Sequence, residues 1–245
     1  DAQESRGLGD VYKRQALMYQ LQLWLAEIAG MAQVSLQPAA GAQGELSGAL
    51  MMRAYHQARG DQGRRKMLIP DSAHGTNPAT AHMAGLEPVE VPSDGRGNVD
   101  LEALRAACGP DVVGLMLTNP NTLGLFDEHL EAVIATVHAC GGLVYGDGAN
   151  MNALAGIVRP GDLGFDLLHF NLHKTFATPH GGGGPGAGPI AATAALVDFL
   201  PAPLVDIVSE GTDDEPPLYG LVTPPHSIGR VQTFYGNFGV LVRAY

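Results

Sequence analysis

The sequence predicts an α/β fold, a mostly parallel sheet sandwiched by helices. Apolar runs of strand length alternate with segments of helical period along most of the chain. The connections between them are mostly a few residues long. The 245 residues are 45% hydrophobic and 16% charged, an ordinary globular composition far from that of a disordered chain.

Each element has its own signal. Leu17, Leu21, Trp24, Leu25 and Ile28 fall on one helical face, and Gly30 is placed to close that helix in a left-handed conformation. A short strand over 34–37 leads through PAAGAQG (38–44) into a helix ending near Arg59. Residues 67–69 read as a buried strand. Asn77-Pro78 is expected to open a helix, with Asn77 as its N-cap and proline at N1. Residues 86–91 form the next strand, and Asp94-Gly95 a turn. Asp100 is expected to cap a helix through Cys108, closed by Gly109. A strand over 112–117, a helix over 128–140 and a strand over 143–145 follow. Segment 210–217, acidic and proline-bearing, reads as an exposed loop. Residues 1–15 carry several charges and no hydrophobic period. They are expected to be a disordered or non-native leader, leaving 16–245 as the domain. The apolar helical pattern of 240–245 stops without a cap, which predicts truncation at the C-terminus.

Composition excludes several functions. The formal net charge of −11 argues against a nucleic-acid backbone binder, which needs a basic face. Two cysteines, Cys108 and Cys140, make neither a disulfide framework nor a cysteine-rich metal site, and point to a reducing, cytoplasmic setting. The most apolar early stretch, 17–28, contains Gln20, Gln22 and Glu27 and is too short to span a bilayer. Of the basic residues only Lys13, Lys66 and Lys174 are lysine. The first two suit solvated positions. Lys174 has apolar neighbours in sequence, so its amine is expected to be either desolvated or covalently engaged.

In an open α/β sheet, ligands bind at the carboxyl ends of the strands. The loops predicted there are rich in small and polar residues: 38–45, 71–78, 118–124, 147–150 and 171–175. A lysine, an acid after a strand, a histidine and a glycine-rich helix start on one rim fit pyridoxal 5′-phosphate. Each piece has a bland alternative. Asp147 serves equally as a helix cap, 40–43 as a tight loop, His74 as an ordinary loop histidine and Asn121 as an Asx turn before Gly124. Other motifs are weaker. Gly181, Gly183 and Gly186 match G-x-G-x-x-G without a strand–helix context, and no Walker A loop or G-x-S-x-G elbow occurs. His169 and His173 have the i, i+4 spacing of metal ligands but lie in a strand-to-turn segment, so no metal is expected and His169 reads as structural.

Taken together, SLQPAAGAQGE (35–45), AHGTNPA (73–79), MLTNPNTLG (116–124), DGAN (147–150), NLHKTF (171–176) and TPHGGGGPGAGP (178–189) resemble one family in order. It is the glycine cleavage system P-protein, glycine dehydrogenase (decarboxylating), in its lysine-bearing C-terminal half or subunit 2. The resemblance implies the aspartate-aminotransferase type of fold (fold type I), with pyridoxal 5′-phosphate and a small C-terminal domain absent from this chain. It also implies decarboxylation of glycine, with the aminomethyl group passed to the lipoyl group of the H-protein. The partner would be subunit 1 or the second half of a homodimer, with neither nucleic acid nor membrane involved. Residue by residue, it makes Lys174 the Schiff-base lysine, Asp147 the partner of the pyridinium nitrogen and His74 the ring-stacking residue. Asn121 would contact the ring hydroxyl, and Ala42, Gln43 and His173 the phosphate. The competing readings are an inert fragment, a scaffold subunit of the same complex, or another enzyme of this fold such as a cysteine desulfurase. The last needs a nucleophilic cysteine on a mobile loop, whereas Cys108 and Cys140 end helices in this reading.

Overall fold

The structure, a computed structural model, describes residues 2–178, 180, 184–212 and 215–245, and for residues 2–10 the backbone alone. Gly181 and Gly183 of the G-x-G-x-x-G match lie outside the described residues. Seven strands form the main sheet: β1 (Gln33–Ser35), β2 (Lys66–Pro70), β3 (Glu87–Val91), β4 (Val112–Thr118), β5 (Leu143–Gly148), β6 (Leu167–Phe170) and β7 (Ile190–Ala192). Their order across the sheet is β1-β7-β6-β5-β4-β2-β3. β7 runs antiparallel to both neighbours and every other pairing is parallel, so the mostly parallel sheet is observed. A separate hairpin pairs β8 (Leu204–Ser209) with β9 (Leu218–Val222). The acidic 210–217 segment links them, with Glu210 and Glu215 exposed, and Asp213 and Asp214 outside the described residues.

Helices cover both faces because strand side chains alternate. Met67, Ile69, Met116, Tyr145 and Leu167 point to one face, where α2 (Gly41–Ala58) and α3 (Thr76–Met83) supply Met51, Met52, Ala81 and Ala84. Leu68, Leu115, Val144, Leu168 and Phe170 point to the other. There α1 (Ala2–Ala29), α4 (Leu101–Ala107), α5 (Leu130–Ala139) and α7 (Phe238–Ala244) complete the core. No helix among the described residues is long and apolar enough to cross a membrane.

Local signals hold where the chemistry is local. Gly30 adopts φ +66° after α1, as a left-handed closing residue must. Asp100 accepts the N–H groups of Glu102 and Ala103 at 2.9 and 3.0 Å, capping α4.

The α1 backbone extends to Ala2, ahead of residue 16 where the hydrophobic period begins. Tyr12 packs on Tyr219 with ring centroids 5.6 Å apart, and Arg14 lies over the Phe238 ring, tertiary contacts that no periodicity signals. Three expectations are corrected. Trp24 is 44% exposed and stacks on Tyr245, while Leu21 and Leu25 are buried. α3 starts at Thr76 with Gly75 at its N-cap, so the Asn77 side chain is buried inside the helix. β5 continues to Gly148, which makes Asp147 part of the strand.

Candidate active site

α2 crosses the carboxyl end of the sheet at unusually short range. A Cβ on Gly48 would stand 2.7 Å from the Tyr145 ring, and one on Gly44 would stand 3.0 Å from His169 Cβ. Glycine at both positions lets the helix descend onto β5 and β6. Its N-terminus therefore opens beside the ends of those strands. Ala40 at the N-cap makes no side-chain hydrogen bond, and Gly41 and Ala42 have no carbonyl one turn behind them. These N–H groups, without intrahelical partners, and the helix dipole favour an anion at this point.

A cleft of about 190 Å³ lies there. α2 contributes Gly41, Ala42 and Glu45; the segment after β2 and the start of α3 contribute His74 and Thr76. Asp147 and Ala149 enter from β5 and its following loop, and His169, Asn171 and Lys174 from β6 and α6 (Leu172–Thr175). A larger cleft of about 540 Å³ lies between Thr178, His180, Gly184 and Pro185 and the start of α7, but none of the sequence-predicted site residues lines it. Chemistry identifies the site here, not size.

Asp147 is 7% exposed and register-paired with His169 across β5 and β6. Its Oδ1 accepts the Ala149 N–H at 2.9 Å and lies 3.6 Å from His169 Nε2. On its far side the His169 ring meets the Tyr145 hydroxyl through Nδ1, and Asn171 Nδ2 approaches Nε2 at 2.5 Å. Burial lowers the His169 pKa, against the opposing pull of Asp147, and so favours a neutral imidazole. Burial likewise pushes the Tyr145 phenol well above its ordinary value. Asp147 thus accepts the Ala149 N–H, has a neutral-favouring imidazole beside it, and lines the cleft.

Lys174 lies on the single-turn α6 and its side chain is exposed, which corrects the desolvation expectation. The reason is geometric: within one turn, Leu172 takes the buried side while Lys174 projects toward the cleft. His74 is also exposed at the cleft, with Nδ1 2.9 Å from Thr76 Oγ1.

Lys174, Asp147, His74 and Ala42 therefore share one cleft. Three other expected residues do not. Asn121 Oδ1 accepts the N–H groups of Leu123 and Leu125, both at 3.0 Å, and its Nδ2 donates to the Gly97 carbonyl at 3.0 Å. The Asx-turn alternative is what the loop uses. Gln43 Oε1 accepts the Ala39 N–H at 2.8 Å and its Nε2 donates to the Val231 carbonyl at 3.1 Å, so both ends of the amide are engaged away from the cleft. His173 accepts the Ala187 N–H at 3.3 Å through Nδ1 and packs against Gly186 and His180.

Glu45, Thr76 and Asn171 lie in segments whose composition marks them as loops or helix starts, yet their individual roles were not read from sequence. Glu45 alone carried a signal: an acid on the buried face of α2, beside Gly41, Gly44 and Gly48. It is 3% exposed, and burial raises its pKa against the lowering effect of the Thr80 and Thr76 hydroxyls.

No family model matches the chain. Among curated relatives, it is 57% identical over 230 residues to the probable glycine dehydrogenase (decarboxylating) subunit 2 of Halalkalibacterium halodurans, covering 94% of this chain and 46% of that protein. It is 60% identical to the same-named protein of Chlorobium chlorochromatii, with the same coverage. For that of Pyrococcus abyssi the identity is 56%, over 93% of this chain and 45% of the relative. The chain thus spans about half the length of the curated relatives it matches. Among solved structures, glycine decarboxylase (P-protein) of the glycine cleavage system superposes with TM-score 0.75 at 22% identity, over 95% of this chain and 52% of that one. A NifS-like protein superposes with TM-score 0.63 at 16% identity, over 95% and 57%. These two establish likeness of fold.

Proposed function

From a chain homologous over nearly its whole length with glycine dehydrogenase (decarboxylating) subunit 2, we propose the cofactor-bearing half of an enzyme that decarboxylates glycine. The observation that carries this reading is that Lys174 and Asp147 line one cleft beneath the uncapped N-terminus of α2. The donor set fits pyridoxal 5′-phosphate: a primary amine, a carboxylate and a pair of free backbone N–H groups. Gly41 supports the fit, since a Cβ there would run into Asn171 Oδ1 and close the gap between α2 and α6.

When bound, the cofactor supplies an electron sink for the pair of electrons left on the α-carbon as carbon dioxide departs. This chain's residues set the conditions for that. The Lys174 amine, exposed at the cleft, would hold the cofactor covalently. Asp147, buried and backed by His169, holds a proton on the ring nitrogen by presenting a negative charge at close range. The N–H groups of Gly41 and Ala42, with the α2 dipole, hold the phosphate. His74 covers the cleft from the β2 side. We further propose that the aminomethyl group leaves to the lipoyl group of the H-protein. Subunit 1, or a second half-chain, would complete the site. The curated relatives named above are bacterial or archaeal, which suits a prokaryotic cytoplasm.

A cysteine desulfurase needs a reactive thiolate near the cleft. Cys108 and Cys140 instead cap the C-termini of α4 and α5, and burial beside Cys140 pushes the Cys108 thiol up to about 12.

The test is an absorption titration of the purified chain with pyridoxal 5′-phosphate, alone and with its partner subunit. An imine band that forms in the wild type and is lost in Lys174→Ala supports the reading. A band that persists in Lys174→Ala, together with normal glycine–bicarbonate exchange, overturns it.

A further inference from the structure

Glu45 presents a buried carboxyl group with an incomplete set of partners. Its Oε2 accepts the Thr76 hydroxyl at 2.9 Å, while Oε1 is buried and meets no partner in full hydrogen-bond geometry among the described residues, although the Thr80 hydroxyl also acts on the carboxyl group. An isolated buried carboxylate oxygen is costly, and the same oxygen on a neutral carboxylic acid is far less so. The second observation concerns His74. Its Nδ1 has the Thr76 hydroxyl oxygen at 2.9 Å, an acceptor when the nitrogen carries a proton. It also has the Thr76 backbone N–H at 3.1 Å, a donor when it does not. One nitrogen is therefore provided for in both protonation states, and the path from it to Glu45 runs through a single hydroxyl.

We propose that His74, Thr76 and Glu45 form a proton relay, in which Thr76 carries protons between the exposed ring and the buried carboxyl group. Glu45 is a positioning residue that acts through His74. The inference rests on reading this cleft as the reaction site. In the forward step a doubly protonated His74 gives its Nδ1 proton to Thr76 Oγ1 as Oγ1 gives its own to Glu45 Oε2. Two X–H bonds break and two form, an imidazolium and a carboxylate become a neutral ring and a neutral acid, and no other reactant is needed. The bare Nδ1 then accepts the Thr76 N–H. A proton collected at Nε2 in the cleft is thereby stored out of solvent and returned by the reverse step. The titratable groups facing Glu45 are Asp147 and Tyr145 from β5, His169 from β6, Lys174 from α6 and His74 itself. Asp147 and the burial of Glu45 both favour the neutral acid.

The experiment is hydrogen–deuterium exchange of the Glu45 carboxylic acid, followed by stopped-flow infrared spectroscopy on the purified chain without cofactor. The band is assigned by its loss in Glu45→Gln. Thr76→Val and His74→Phe should slow exchange by about tenfold or more, while Thr76→Ser exchanges at the wild-type rate. If Thr76→Val does not fold, His74→Phe decides. Wild-type exchange in both Thr76→Val and His74→Phe, slow exchange in Thr76→Ser, or absence of a Glu45 acid band overturns the relay. Cofactor titration of the same preparations separates the two readings. Binding of pyridoxal 5′-phosphate without a change in exchange discards the relay alone, and slowed exchange without cofactor binding discards the cofactor reading alone.

Discussion

Asp147 and His169 are register partners on adjacent parallel strands, both largely buried, and Asp147 Oδ1 lies 3.6 Å from His169 Nε2. The imidazole beside the carboxylate is one that burial favours as neutral, and the Ala149 N–H holds Oδ1, so the acid meets the cleft without a cationic side-chain partner in contact. Asp147→Asn keeps the shape and removes the charge. Turnover of the complete enzyme should fall by roughly 10²–10⁴-fold, the loss expected when one proton-handling group is removed. Steady-state glycine–bicarbonate exchange measures it, and a loss under about threefold would reject the role given to Asp147.

Tyr145→Phe probes the next link inward. It removes the hydroxyl that meets His169 Nδ1 and leaves a buried ring nitrogen without its partner. The expected cost is about 1–3 kcal/mol of stability, read from urea denaturation at constant m.

Gly48→Ala sets two effects against each other. Alanine gains about 1 kcal/mol in helix propensity. The new methyl carbon would stand 2.7 Å from a Tyr145 ring that is fully buried and stacked on His169, so the ring cannot yield cheaply. Overpacking of about 1–3 kcal/mol exceeds the gain. The variant should melt lower and bind pyridoxal 5′-phosphate more weakly, because α2 is lifted from the sheet and its N-terminus moves.

The raised pKa of Glu45 gives stability a pH dependence of known sign. The folded chain holds this proton more tightly than the unfolded chain does. Its contribution is therefore complete below the ordinary glutamate value and is lost as pH rises through the higher folded value. Urea midpoints measured from roughly pH 4 to 8 should decline less steeply in Glu45→Gln than in the wild type. Parallel curves would show that Glu45 titrates as it does in the unfolded chain.

Asp100→Ala serves as a contrast far from the cleft. Loss of the two N-cap hydrogen bonds should cost about 1 kcal/mol and leave the absorption spectrum with pyridoxal 5′-phosphate unchanged.

The residues sort by the range of the interactions that define them. Strands β1 to β5, the Asp100 cap and the left-handed Gly30 follow from local apolar patterning, side-chain chemistry and backbone sterics acting within a few positions. Lys174, Asp147, His74 and Ala42 were legible for a related reason: each lies at a strand end, or in the loop or first helical turn after one, that an open α/β sheet must bring to one rim. Tertiary structure decided which side chains turn into that rim. Gln43 is drawn off by the Val231 carbonyl, 188 positions away, and Asn121 is consumed by its own loop and Gly97. Glu45 joins the site because α2 descends far enough to meet Thr76, 31 positions further on. A hydrogen-bonding side chain takes whatever partner the folded chain brings within about 3 Å, and partners distant along the chain leave no period or motif beside the residue they capture.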